Sequence, residues 1–210
     1  MTKADITGER LLRIAAKLFR EKGYAQTTVR DIARVARMKP GSLYYHYPSK
    51  EKLLESVIDR GFNTILNAVS EAVNSLPPDA PAKQRLRAAV AAHLRANFEY
   101  GDYAVPGKQL LDRVPAALRR KYMRARDQYD ALWRDLFEAA SAEGAFRAES
   151  SGGIARMFVL GSLNWTVEWV NPGRKSFESL ADAFVDLDYF GHAPREGERQ
   201  AASPPLARRA

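Results

Sequence analysis

The chain has 210 residues, of which 46% are hydrophobic and 28% charged, enough apolar material for a packed core in one large or two small domains. It contains no cysteine, which excludes a disulfide framework and a thiolate metal site and fits a reducing compartment. Its net charge of +8 is segregated: residues 1–60 hold 13 Lys/Arg against 7 Asp/Glu, residues 61–190 hold 16 against 16, and residues 191–210 hold 4 against 2, the pattern of a polyanion-binding unit on a neutral body.

At the N-terminus there is no apolar signal-peptide core, and no run of about 18 apolar residues follows anywhere. A cytoplasmic protein without a membrane partner is expected. Met1 to Ile6 reads as a loose basic arm, in which Lys3 suits either a phosphate or plain solvent. Residues 7–22 read as a first helix, with Leu11, Ile14, Ala15, Leu18 and Phe19 on one face and Gly23 as its C-terminal cap. Thr28 followed three residues later by Asp31 is a relaxed capping box, opening a short helix whose apolar side holds Ile32, Ala33, Val35 and Ala36. A turn over Arg37 to Lys39 leads to a second short helix at 40–46, where Pro40 suits the first turn.

That second helix has an unusual exterior. Leu43 faces the core, whereas Lys39, Gly41, Ser42, Tyr44, Tyr45 and His46 offer a cation, hydroxyls, a close-approach glycine and flat rings, a surface suited to a DNA groove. Pro48 ends the helix, and Ser49 caps the next one so that Lys50 stands beside its N-terminal amides, a natural place for phosphate. Thr28 and Arg30, at the start of the preceding helix, complete the candidate DNA contacts. The strings TVRDIA at 28–33 and LYYHYPSKEKLL at 43–54 resemble the TetR/AcrR family of bacterial transcriptional repressors. The resemblance implies a helix-turn-helix domain, a double-stranded DNA operator and a homodimer. One departure stands in the turn, where that family usually has glycine after the position of Ala36 and this chain has Arg37; a left-handed residue other than glycine costs about 1 kcal/mol.

From Ser49 to Leu76 apolar residues recur at helical spacing without a proline, giving a lever about 40 Å long at 1.5 Å per residue. Pro77, Pro78 and Pro81 end it. Residues 82–100 read as another amphipathic helix, Gly101, Pro106 and Gly107 break the pattern, and a longer helix follows from Pro115 to about Ala142 with Gly144 closing it. Residues 154–170 are apolar on all sides, which implies burial against both a core and a partner. Phe158, Gly161 and Ser162 there, with Phe177, Leu180 and Phe184 of a last helix at 176–190, form the candidate dimer interface, a four-helix bundle across a twofold axis. Residues 191–210 carry three prolines and few apolar residues, and a disordered tail is expected, with Arg208 and Arg209 more simply solvated than on DNA.

The fold class is therefore all-α: a helix-turn-helix DNA-binding domain at 1–48, a helical ligand-binding and dimerisation domain at 49–190, and a tail. His46, His93 and His192 are too scattered for a metal site, and no nucleophile elbow, phosphate-cradling glycine loop or HExxH is present, so neither an enzyme nor a bound cofactor is expected. His93, Asn97, Phe98, Tyr103, Tyr122, Tyr129, Trp133, Asn164, Trp165 and Trp169 have the composition of a small-molecule pocket, although packing is a strong alternative for each and the commoner role for His93, with packing or interface the commoner one for Trp165 and Trp169. The strings LRRKYMRARDQYDALW at 118–133 and LGSLNWTVEWVNPG at 160–173 resemble a subset of TetR-like regulators, some of which respond to acyl-CoA thioesters. That resemblance implies a small hydrophobic effector. Arg119, Arg120, Lys121, Arg124 and Arg126 could then meet CoA phosphates or form a solvated face, and Glu168 stands where a basic residue is expected. A ligand-released repressor and a DNA-architectural protein without a ligand both remain open.

Overall fold

A computed structural model describes residues 3–103, 114–143, 152–171 and 176–190, and every regular element among them is helical. In chain order these are α1 Lys3–Lys22, α2 Val29–Ala36, α3 Pro40–His46, α4 Lys50–Asn74, α5 Ala82–Glu99, a single 3-10 turn Gly101–Tyr103, α6 Ala116–Ala142, α7 Gly152–Trp169 and α8 Phe177–Phe190. The first helix begins at Lys3 rather than at residue 7, so the expected arm is helical from its third residue. The expected tail at 191–210, with His192, Arg208 and Arg209, lies outside the described residues, as do Pro106, Gly107 and Gly144.

The capping box forms as its sequence requires. Thr28 Oγ1 accepts from the Asp31 amide at 3.1 Å, and the Asp31 carboxylate accepts from the Thr28 amide at 3.0 Å, tying off two amides that a helix start leaves open. At the other end Arg37 adopts the left-handed conformation at φ 55°, ψ 45°, and the Met38 amide reaches back to the Ala33 carbonyl at 2.9 Å. This is the closing geometry that glycine usually supplies. Val35, expected on the apolar side, is 49% exposed, because a helix of eight residues has only one face to bury, and Ile32, Ala33 and Ala36 occupy it.

Two apolar cores result. One gathers Leu11, Ala15, Phe19, Ile32, Ala36 and Leu43 with Leu53, Leu54, Val57 and Ile58 of α4, and also Tyr103, Leu118 and Tyr122. The other joins Val69 of α4 to α5, to the second half of α6 around Trp133 and Phe137, and to α7 and α8. A boundary at residue 49 therefore does not separate the cores, since α4 and α6 each contribute to both.

Charged contacts fix how the pieces meet. Arg60 of α4 donates to both oxygens of Glu9 on α1, and the Tyr103 hydroxyl donates to the same carboxylate at 2.8 Å. Lys121 of α6 reaches back to Glu55 at 2.9 Å and Asp59 at 2.6 Å on α4. Hydrogen bonds from Lys52 and then Lys121 hold the Glu55 carboxyl down to about 2. Helix α5 has no side-chain cap of its own, and Glu143, at the end of α6, accepts the Ala82 amide with both carboxylate oxygens. Antiparallel to α5, α8 is joined to it by three ion pairs, Lys83 with Asp186, Arg87 with Asp182 and Arg95 with Glu178.

Candidate nucleic-acid interface and ligand site

The outward side of α3 follows from the burial of one residue. Leu43 is wholly buried, and it fixes the helix so that Lys39, Gly41, Ser42, Tyr44 and Tyr45 all face solvent. Tyr45, at 85% exposed, stands fully clear of the domain, and Tyr44 is half exposed. His46 turns back: it is half-buried, sits beside Gly8 of α1 and meets the Tyr45 ring edge-on at 5.6 Å. Thr28 and Arg30 are exposed at the start of α2, but the Thr28 hydroxyl also donates to Asp31 at 2.6 Å, so its first duty is the cap.

Ser49 caps α4 by accepting from the Lys52 amide at 3.1 Å. The Lys50 ammonium lies 4.0 Å above the centre of the Tyr24 ring, a cation–π contact that orients it beside the helix N-terminus. Burial lowers the Lys50 pKa, with Glu51 opposing. Tyr24 is pushed up to about 12, first by burial and then by Glu51, to which its hydroxyl donates at 3.3 Å. Sequence reasoning missed Tyr24 and Glu51 as the pair that positions Lys50.

The residues expected to line one pocket divide among four places. His93, Asn97, Tyr129 and Trp133 come together between α5 and α6, with His93 Nδ1 2.5 Å from the Tyr129 hydroxyl and the His93 and Trp133 rings 6.0 Å apart. Asn97 donates to the Leu163 carbonyl at 3.4 Å and so ties α5 to α7. Burial lowers the His93 pKa to about 4, which keeps the ring neutral. Tyr122 and Tyr103 belong to the other core, where Tyr122 meets Phe62 edge-on at 5.2 Å; Phe98, half-buried, instead packs on Phe177 of α8 at 5.4 Å.

Asn164, Trp165 and Trp169 point away from this cluster. Leu163 and Thr166 are the residues of that stretch turned inward, which leaves Trp165 65% and Trp169 57% exposed. With Ile154, Met157, Phe158, Gly161 and Ser162 they make one continuous outer face of α7, apolar over most of its length. Among the expected interface residues, Leu180 is instead buried within the protomer, because α8 packs on α5, and Phe177 and Phe184 are half-buried against the same core. Arg119, Arg120, Arg124 and Arg126 are exposed on α6, whereas Lys121 is engaged by α4. None of the helices among the described residues is long and apolar enough to cross a membrane.

Residues 11–57 match the model of bacterial regulatory proteins of the tetR family, and residues 79–189 match the tetracyclin repressor-like C-terminal domain. The HTH-type transcriptional repressor KstR2 of Mycobacterium tuberculosis is 32% identical over 169 residues, 78% of this chain and 80% of its own. Among solved structures, the TetR family transcriptional regulator PfmR of Thermus thermophilus superposes with a TM-score of 0.74 at 31% identity, covering 88% of this chain and all of PfmR. AibR, solved in complex with isovaleryl coenzyme A and operator DNA, has the same fold at a TM-score of 0.72 and 24% identity, over 87% of this chain and 98% of its own.

Proposed function

This chain belongs to the tetR family of bacterial regulatory proteins, and from that premise we propose that it is a cytoplasmic repressor that binds a palindromic operator as a homodimer and is released by a small hydrophobic effector. The observation that carries the reading is the exposed row Lys39, Gly41, Ser42, Tyr44 and Tyr45 on a helix anchored by the buried Leu43, in the part of the chain that holds the basic excess. Two copies of α3 enter successive major grooves about 34–36 Å apart, one helical turn of DNA. Thr28 and Lys50 meet phosphates at helix N-termini and set the register, while Tyr44 and Tyr45 meet bases and sugars.

Residues 1–48 serve as the DNA-binding unit and 49–190 as the sensing and dimerising unit. The outer face of α7 pairs with its twofold copy, which covers Phe158, Gly161, Trp165 and Trp169. The effector contacts the His93, Asn97, Tyr129 and Trp133 cluster. An acyl-CoA thioester is the class that the sequence resemblance and the AibR complex favour. Effector binding at Tyr129 and Trp133 displaces α6, and Lys121 carries that displacement to Glu55 and Asp59 on α4, about two to three turns from the Ser49 cap. The two recognition helices then lose the groove spacing, and by linkage DNA weakens effector binding by the same factor.

Footprinting on the DNA that flanks the chain's own gene tests the reading. A protected palindrome with half-sites one turn apart is expected. Binding of similar strength to unrelated DNA, indifferent to any metabolite, would mean a DNA-architectural protein instead.

A further inference from the structure

Two ring nitrogens in the body have no hydrogen-bond partner although they are wholly buried. They are His93 Nε2 and Trp133 Nε1, in side chains that are both 0% exposed. A buried polar group without a partner costs about 1–3 kcal/mol, so two of them on adjoining rings are a concentrated liability in an otherwise apolar core.

Their chemistry can be assigned. Tyr129 keeps its proton, because burial raises its pKa, and His93 is neutral for the opposite reason. A neutral phenol and a neutral imidazole 2.5 Å apart can pair in either direction; with the phenol as donor to His93 Nδ1, the imidazole proton sits on Nε2. An indole nitrogen can only donate. The Trp133 indole meets the Tyr129 ring edge-on at 6.2 Å and opposes that rise, but its Nε1 makes no hydrogen bond. Both orphan groups are thus donors, on rings whose centres are 6.0 Å apart and nearly perpendicular at 77°. A carbonyl oxygen, with two lone pairs, can accept two such hydrogen bonds of about 2.9 Å.

Charge narrows the class further. The cluster is made of neutral groups, and the charge of Arg156, whose Nε is likewise buried without a hydrogen-bond partner, is matched by Asp130, the residue after Tyr129. A carboxylate or phosphate buried there would lack a counter-charge, which is far costlier than a neutral acceptor. We infer that His93 Nε2 and Trp133 Nε1 form a two-donor site for a neutral carbonyl oxygen of the effector, in a ketone, ester or thioester, with Tyr129 as the positioning residue that sets the imidazole tautomer. The inference rests on the ligand-released reading above and names the group that the effector must carry.

The test follows the indole N–H resonances of the ¹⁵N-labelled full chain, whose three tryptophans are assigned with Trp133→Phe. Titration with 2-decanone, 1-decalone and S-ethyl octanethioate should shift the Trp133 resonance downfield, while decane and decanoate should leave it in place. In His93→Phe the affinity for the active carbonyl probe should fall at least tenfold. The wild-type titration decides the matter even where that variant fails to fold. No shift with any of the three carbonyl probes would mean an internal water satisfies the donors and would overturn the site, as would an equal response to decane or a tighter response to decanoate. A parallel gel shift on the flanking DNA separates the two ideas. DNA binding without a Trp133 response sinks the carbonyl site alone, and a Trp133 response without DNA binding sinks the repressor reading alone.

Discussion

Gly61 lies directly beneath the carbonyl of Tyr103: a methyl group at Gly61 would meet that oxygen at 2.7 Å. Helix α4 and the 3-10 turn are held at this distance by the Tyr103 and Arg60 hydrogen bonds to Glu9. Gly61→Ala must therefore push the turn off α4. A loss of about 1–3 kcal/mol is expected from overpacking, read as a lower urea midpoint with an unchanged slope. A midpoint equal to wild type would show that the turn can move without cost.

Arg37→Gly should act in the opposite direction. Its left-handed backbone is one that glycine adopts freely, so the replacement should stabilise the chain by about 1 kcal/mol and raise the melting temperature by roughly 2–4 °C for a protein of this size. Differential scanning calorimetry measures this, and an unchanged or lowered midpoint would contradict it.

On the DNA side, Tyr44→Ala and Lys50→Ala should each weaken operator binding by more than tenfold in a gel shift while sedimentation still reports the dimer. Lys50→Ala should also flatten the salt dependence by about one unit of slope, because it removes one phosphate contact. Retention of full affinity in both variants would remove α3 and the α4 cap from the interface.

Phe158→Glu should abolish dimerisation without unfolding the protomer, because the side chain is 73% exposed and its loss opens no cavity. A dimer persisting in analytical ultracentrifugation would place the interface elsewhere.

Acid should destabilise the chain partly through His93. Its folded pKa of about 4 lies below the ordinary 6.5, so between those values the unfolded chain binds one more proton than the folded chain. Stability is then lost as pH falls from 6.5 towards 4, at about 1.4 kcal/mol per unit for this one group. From pH 7 to pH 5 the wild type should lose about 2 kcal/mol more than His93→Leu, compared by urea unfolding. Parallel losses in the two proteins would mean that His93 titrates normally.

Local signals were legible from the sequence wherever a few neighbouring residues decide the outcome. Thr28 with Asp31, Gly23, Ser49 and the Leu43 anchor are all of this kind, and so was the left-handed strain at Arg37. The start of α1 was not legible, because residues 3–6 carry no apolar periodicity to announce a helix. The grouping of Asn164, Trp165 and Trp169 with the His93 cluster failed for a different reason. A helix that is apolar all round, as 154–170 is, does not state which side faces its own protomer, and only packing against α5 and α6 turned Leu163 and Thr166 inward and Trp165 outward. Likewise, Lys83, Arg87 and Arg95 meet partners about a hundred residues away on α8, which no local spacing could indicate.

Helix α6 is one unbroken rod of 27 residues with Leu118 and Tyr122 in one core and Trp133 to Ala140 in the other. The DNA-binding end is consequently no detachable cassette. Cut after residue 48, it would lose Leu53, Leu54, Val57 and Ile58 as well as the two α6 side chains, and a graft onto another sensor would need all of them rebuilt. Melting should proceed in one cooperative step, with head and body unravelling together.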